Sequence, residues 1–105
     1  MMPQGMLKPY ILLLMLRKQM HGLELIEEIE ERSQGMWRPG SSAVYPALAW
    51  LSKNKYIEAV WNGKLSEKAQ RQYKITEAGR DAIKDYRQFE KEWFGGMLRL
   101  KSMFQ

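Results

Sequence analysis

The chain has 105 residues, 45% hydrophobic and 28% charged, with a formal net charge of +5 from 17 Lys and Arg against 12 Asp and Glu. That length sets one small domain, in which folding buries about two-thirds of the unfolded surface. The mix of apolar and charged residues excludes a disordered chain. With no cysteine, a disulfide framework and a thiolate metal site are both excluded. The basic balance fits either a polyanionic partner or a well-solvated surface.

Met6 to Lys18 carries Leu7, Tyr10, Ile11, Leu13, Leu14, Met15 and Leu16, which predicts a helix that is apolar nearly all round and mostly buried. Its apolar run from Tyr10 to Leu16 is far shorter than the roughly 20 residues that span a bilayer. No signal-peptide pattern precedes it, so the protein is expected to be cytoplasmic, with no membrane partner. Met20, His21 and Gly22 mark a break, where glycine suits a turn or a close helix approach.

A second helix is predicted from about His21 to Gln34. Leu23, Ile26 and Ile29, with Leu25 beside them, form its expected inner face, and Glu24, Glu27, Glu28, Glu30 and Glu31 its outer face. Arg32 suits the last turn, and Gly35 the stop. The stretch GMWRPGSSAVYPAL follows at 35–48. One of Ser41 and Ser42 is expected to cap a third helix that runs to about Asn54. With Ser41 as the cap, Pro46 falls beyond the first turn, where proline costs about 3 kcal/mol. A start one or two residues later removes most of that cost.

Ile57, Ala59 and Trp61 alternate with Glu58 and Val60, a strand pattern. Asn62-Gly63 signals a turn, but alternation resumes at Tyr73 and Ile75, so a long loop carrying Lys64, Lys68 and Arg71 joins two strands. Thr76 is a predicted N-cap. From there Ala82, Tyr86, Phe89, Trp93, Met97, Leu100 and Phe104 recur at steps of three and four, a seam of nearly heptad period. A continuous helix from Thr76 to Phe104 would be about 43 Å long, unless Gly95-Gly96 kinks it.

Three short helices followed by a basic two-stranded ribbon make a winged helix-turn-helix, whose third helix would enter the major groove of DNA. The fold class is therefore mostly α with a small β-hairpin. A DNA-binding domain at 1–75 is followed by a C-terminal dimerisation helix at 76–105.

MHGLELIEEIEER at 20–32, WRPGSSAVYPALAWL at 37–51 and RQYKITEAG at 71–79 resemble the PadR family of transcriptional regulators. That family typically shows a His-Gly-Tyr-Glu-Leu segment, a Trp-x-Pro loop, a (Val/Ile)-Tyr-Pro-x-Leu recognition helix and a Tyr-x-(Leu/Ile)-Thr-x-x-Gly strand-to-helix joint. The resemblance covers about residues 7–80. Leu23 stands where the family commonly has Tyr, and Ser42-Ala43 replaces a frequent Gly-Ser pair, which leaves Ser41 or Ser42 to supply the hydroxyl contact. The C-terminal helix is short, as in the smaller members.

The resemblance implies a homodimeric regulator, a repressor, whose partner is operator double-stranded DNA. Tyr45, at the start of the third helix, is the candidate base or phosphate contact, against the alternative that it packs under the helix-turn-helix. Ser41, Ser42 and Pro46 share that helix start. Lys64, Lys68 and Arg71 are candidate backbone contacts on the wing, against a solvated charge run. Trp37, Pro39 and Trp50 read as structural, and Lys53 and Lys55 as flank. Tyr86, Phe89, Trp93, Met97, Leu100 and Phe104 form the expected dimer interface. Some members of the family bind planar hydrophobic molecules between subunits, and Trp93 is the stacking candidate for such an effector.

Two other classes stay open: a protein-interaction module without base readout, and a sensor in which ligand binding is the main event. His21 is the single histidine. No phosphate-loop or dinucleotide signature and no convergent carboxylate pair accompanies it, so no cofactor, metal or enzymatic activity is expected.

Overall fold

The structure, a computed structural model, describes residues 6–60 and 71–84. Among them the elements run α1 (Leu7–Met15), β1 (Met20–His21), α2 (Gly22–Arg32), α3 (Ser41–Lys53), β2 (Ile57–Val60), β3 (Gln72–Ile75) and α4 (Glu77–Ala82). Helix α1 buries Tyr10 through Met15 without interruption. It is the central rod of the core, as its all-round apolarity predicts.

Helix α2 turns a different face inward from the expected one. Leu25, Ile26 and Ile29 are buried, while Leu23 is 46% exposed. The reason is geometric: a strict spacing of three drifts about 60° per step on a 3.6-residue turn, so Leu23 cannot share a stripe with Ile29. Gly22, Leu25, Ile26 and Ile29 do share one.

The α2 terminus is also more specific than a glycine stop. Gln34 takes the left-handed conformation (φ 52°), followed by Gly35 (φ 80°). The Gly35 amide donates to the Glu30 carbonyl at 2.8 Å, and that of Gln34 to Glu31 at 3.0 Å, the paired bonds of a Schellman motif. Helix α3 ends the same way: Lys55 (φ 65°) is left-handed, and the Tyr56 amide donates to the Leu51 carbonyl at 2.9 Å.

Between α2 and α3, Ser33 is fully buried. Its Oγ accepts from the Trp37 amide at 3.0 Å and lies within donating distance of the Glu30 and Trp37 carbonyls. The turn is thus tied to the helix end by one hydroxyl. Trp37 packs against the core, its ring tilted 59° to that of Tyr10 at 6.4 Å, and Pro39 is buried beside it in sequence.

Strands β2 and β3 form the expected antiparallel hairpin, with Ile57 opposite Ile75 and Glu58 opposite Lys74. Ile57 and Ile75 are buried, but Ala59 is exposed despite the alternating pattern. A third strand completes the sheet in the order β1-β3-β2, with Met20 opposite Tyr73 and His21 opposite Gln72. Two residues are too few to show alternation, so β1 has no signal of its own.

The Thr76 Oγ1 caps α4 by accepting from the Gly79 amide at 3.1 Å, and donates to the Lys55 carbonyl at 2.7 Å. The described part of this helix closes at Ala82, with Ile83 as its C-cap. The remainder of the predicted long helix, with the Gly95-Gly96 pair, lies outside the described residues.

Candidate nucleic-acid interface

Helix α3 is anchored by Val44, Ala47, Leu48 and Leu51, all buried. A helical wheel centred on these residues places Ser42, Pro46, Ala49 and Lys53 on the opposite side, and all four are exposed. Tyr45 and Ser52 fall on one flank of that outer face; Ala43 and Trp50 fall on the other.

The expected serine cap is absent. Gly40 is the N-cap, in extended conformation (φ −79°, ψ 159°), with no side-chain hydrogen bond, and Ser41 is already the first helical residue. Glycine ranks among the residues that N-cap positions accept. Both serine hydroxyls therefore remain available at an exposed helix start. The helix does not begin later to relieve Pro46, which sits inside it. Its ring faces solvent on the outer side.

Tyr45 is half-buried, and its ring lies against Gly22 at the head of α2. A Cβ at Gly22 would stand 2.6 Å from Tyr45 Cε1 and 2.9 Å from its hydroxyl oxygen. Packing and exposure coexist in this side chain: one face of the ring seats α3 on α2, and the residue keeps part of its surface open.

His21, next in the chain, caps α2. Its Nδ1 accepts from the Glu24 amide at 3.1 Å, and the Glu24 carboxylate accepts from the His21 amide at 3.1 Å. This is a capping box with histidine in the place of serine or threonine. Glu24 three residues after a break was its readable sign. His21 also pairs with Gln72, the residue after Arg71. A short run of contacts thus joins the Tyr45 ring, the α2 start and the base of the wing, where Arg71 is exposed. Lys64 and Lys68 lie outside the described residues.

Charge is segregated across the motif. Residues 41–55 contain no acid and end in Lys53 and Lys55, whereas Glu24, Glu27, Glu28 and Glu31 of α2 line a small cleft together with Lys18 and Met20 ahead of that helix. Arg38, ahead of α3, is paired with Glu30 at 3.3 Å, an exposed pair worth at most about 1 kcal/mol.

Trp50 is 44% exposed. It stacks on Tyr56 at 6.0 Å and 25°, with the Lys8 ammonium 4.5 Å from its ring centre. The cleft beside it, about 270 Å3, has Leu12, Tyr56 and Ile83 among its walls. Tyr86, Phe89, Trp93, Met97, Leu100 and Phe104 lie outside the described residues. Among the described residues no group of three or more His, Asp or Glu could hold a metal ion, and no helix is long and apolar enough to cross a membrane.

The family model for transcriptional regulators of the PadR-like family matches residues 11–85. The transcriptional regulator YqjI of Escherichia coli (strain K12) is 31% identical over 84 residues, 80% of this chain. This chain spans 39% of the length of that relative. A transcriptional regulator from Clostridium thermocellum has a similar structure, with a TM-score of 0.65 at 26% identity over 97% of this chain and 96% of that one. PadR of Bacillus subtilis, solved in complex with operator DNA, shares the fold with a TM-score of 0.67 at 22% identity, over 81% of this chain and 47% of that one.

Proposed function

This chain belongs to the PadR-like family of transcriptional regulators, and from that membership we propose that it is a homodimeric repressor that lays α3 in the major groove of operator DNA. The observation that carries this reading is the division of α3 itself. One side is locked into the core through Val44, Leu48 and Leu51, while the other presents an exposed face without acidic residues. A helix held rigidly by one side and open on the other is what groove insertion requires. The chain's basic net charge supplies the sequence-independent attraction to phosphate.

In this reading Tyr45, Ser41, Ser42 and Pro46 form the leading end of the helix in the groove. Lys64, Lys68 and Arg71 hold the adjacent backbone from the wing. The seam of Tyr86, Phe89, Trp93, Met97, Leu100 and Phe104 pairs two copies within residues 76–105, following residues 1–75 as the DNA-binding unit. Two-fold symmetry then sets two half-sites about one helical turn, roughly 34 Å, apart.

Selection of bound sequences from a random duplex pool tests the proposal. The expected result is a pseudo-palindrome with that spacing. A bound pool without sequence preference would instead favour an interaction module that keeps the fold and lacks base readout.

A further inference from the structure

The leading half of the outward face of α3 lacks every side chain that makes a two-pronged contact with a base edge. Residues 41–53, SSAVYPALAWLSK, contain no Arg, Asn, Gln, Asp or Glu. Lys53 stands at the last helical position, away from the N-terminal half that reads bases in a helix-turn-helix. Paired contacts to guanine O6 and N7 come from Arg or Lys, and those to adenine N6 and N7 from Asn or Gln. The leading half of this helix offers neither.

It offers apolar surface instead. Pro46 and Ala49 are exposed and sit at the centre of the outer face, three residues apart, with the Ser42 hydroxyl one turn before Pro46. Proline has no amide hydrogen to present, and its ring carbons turn outward at a position where proline otherwise weakens the helix. In the major groove thymine is the one base that carries an apolar group, its C5-methyl. A guanine, adenine or cytosine edge set against Pro46 would lose water without gaining a hydrogen bond, and an unpartnered polar group is costly.

We propose that α3 reads thymine methyl groups, with Pro46 and Ala49 as the specificity-determining contacts. The inference rests on the DNA-binding reading above and narrows its target to half-sites with thymine at the positions facing these two residues.

Replacing thymine by uracil removes the methyl and keeps every hydrogen-bonding atom. The probe is the duplex selected from the random pool, prepared with thymine or with uracil in its half-sites and titrated with the full chain. The expected result is affinity lower by about fourfold for each contacted methyl, the factor for one buried methyl group. A Pro46→Ser, Ala49→Ser double variant should bind the two duplexes equally. Both side chains are exposed and Pro46→Ser restores an amide to the helix, so the variant folds.

Equal affinity of the wild-type chain for thymine and uracil duplexes, both still preferred over random duplex, would overturn the inference and leave the DNA-binding reading standing. A uracil penalty that persists unchanged in the double variant would assign the effect to DNA shape and overturn it as well. Failure to bind any duplex would overturn the DNA-binding reading, and the inference with it.

Discussion

The ring of Tyr45 rests on Gly22, so closely that the first carbon of any side chain at position 22 would overlap it. That contact sets how α3, the candidate recognition helix, sits on α2. It also explains a glycine at the first position of α2, where a side chain would have no room.

Gly22→Ala is therefore expected to displace the Tyr45 ring and to destabilise the fold by about 1 kcal/mol, the low end of overpacking costs because an aromatic ring can swing aside. In a Tyr45→Ala background the same change should be neutral or stabilising. Chemical denaturation of the two single variants and the double variant gives the coupling. Additive effects would mean that the ring does not rest on Gly22 in solution.

Gly79 offers the contrasting case. A Cβ there would overlap the carbonyl oxygen of Tyr56 and lie 2.7 Å from Ile75 Cγ1. That carbonyl is fixed, because it accepts from the Thr76 amide at 3.0 Å. Backbone cannot swing aside as a ring can, so Gly79→Ala should cost about 3 kcal/mol, the upper end of the same range. Thermal unfolding reads the difference, and a melting temperature near that of the wild type would contradict the joint between the α3 terminus and α4.

Tyr10 links stability to alkaline pH. Burial pushes its hydroxyl above the ordinary value near 10, against the opposing pull of Arg32, whose Nε donates to it at 2.9 Å. The folded state thus holds the proton to higher pH than the unfolded chain. The stability this contributes is full below about pH 10 and is lost as pH rises through the folded value. Tyr10→Phe should flatten that alkaline loss and cost about 1.5–3 kcal/mol at neutral pH, the worth of one hydrogen bond to a charged group. Urea titrations at neutral and alkaline pH measure both effects. An unchanged alkaline slope in the variant would contradict the assignment to Tyr10.

The long elements were readable because their signals are local. The apolar run of α1 and the Ile57 and Ile75 strands each carry a period within their own residues. Thr76 was legible as a cap for the same reason. Strand β1 was not, since Met20 and His21 become a strand through Tyr73 and Gln72, far along the chain.

Leu23 misled because spacing by three looks like a stripe over one step and drifts out of it by the second. Ser41 and Ser42 misled because side-chain capping preference competes with backbone conformation, and Gly40 adopts the extended cap conformation first. At the candidate site, the YP pair was visible in the sequence. The placement of Pro46 and Ala49 at the middle of the outer face depends on which residues α1 and α2 bury.

The most direct test of DNA binding through this motif is fluorescence anisotropy of a labelled duplex titrated with the chain at rising salt. Contact with six to ten phosphates predicts affinity that falls by roughly a thousandfold or more between about 50 and 200 mM salt. An affinity independent of salt, or no binding at the lowest salt, would contradict the account.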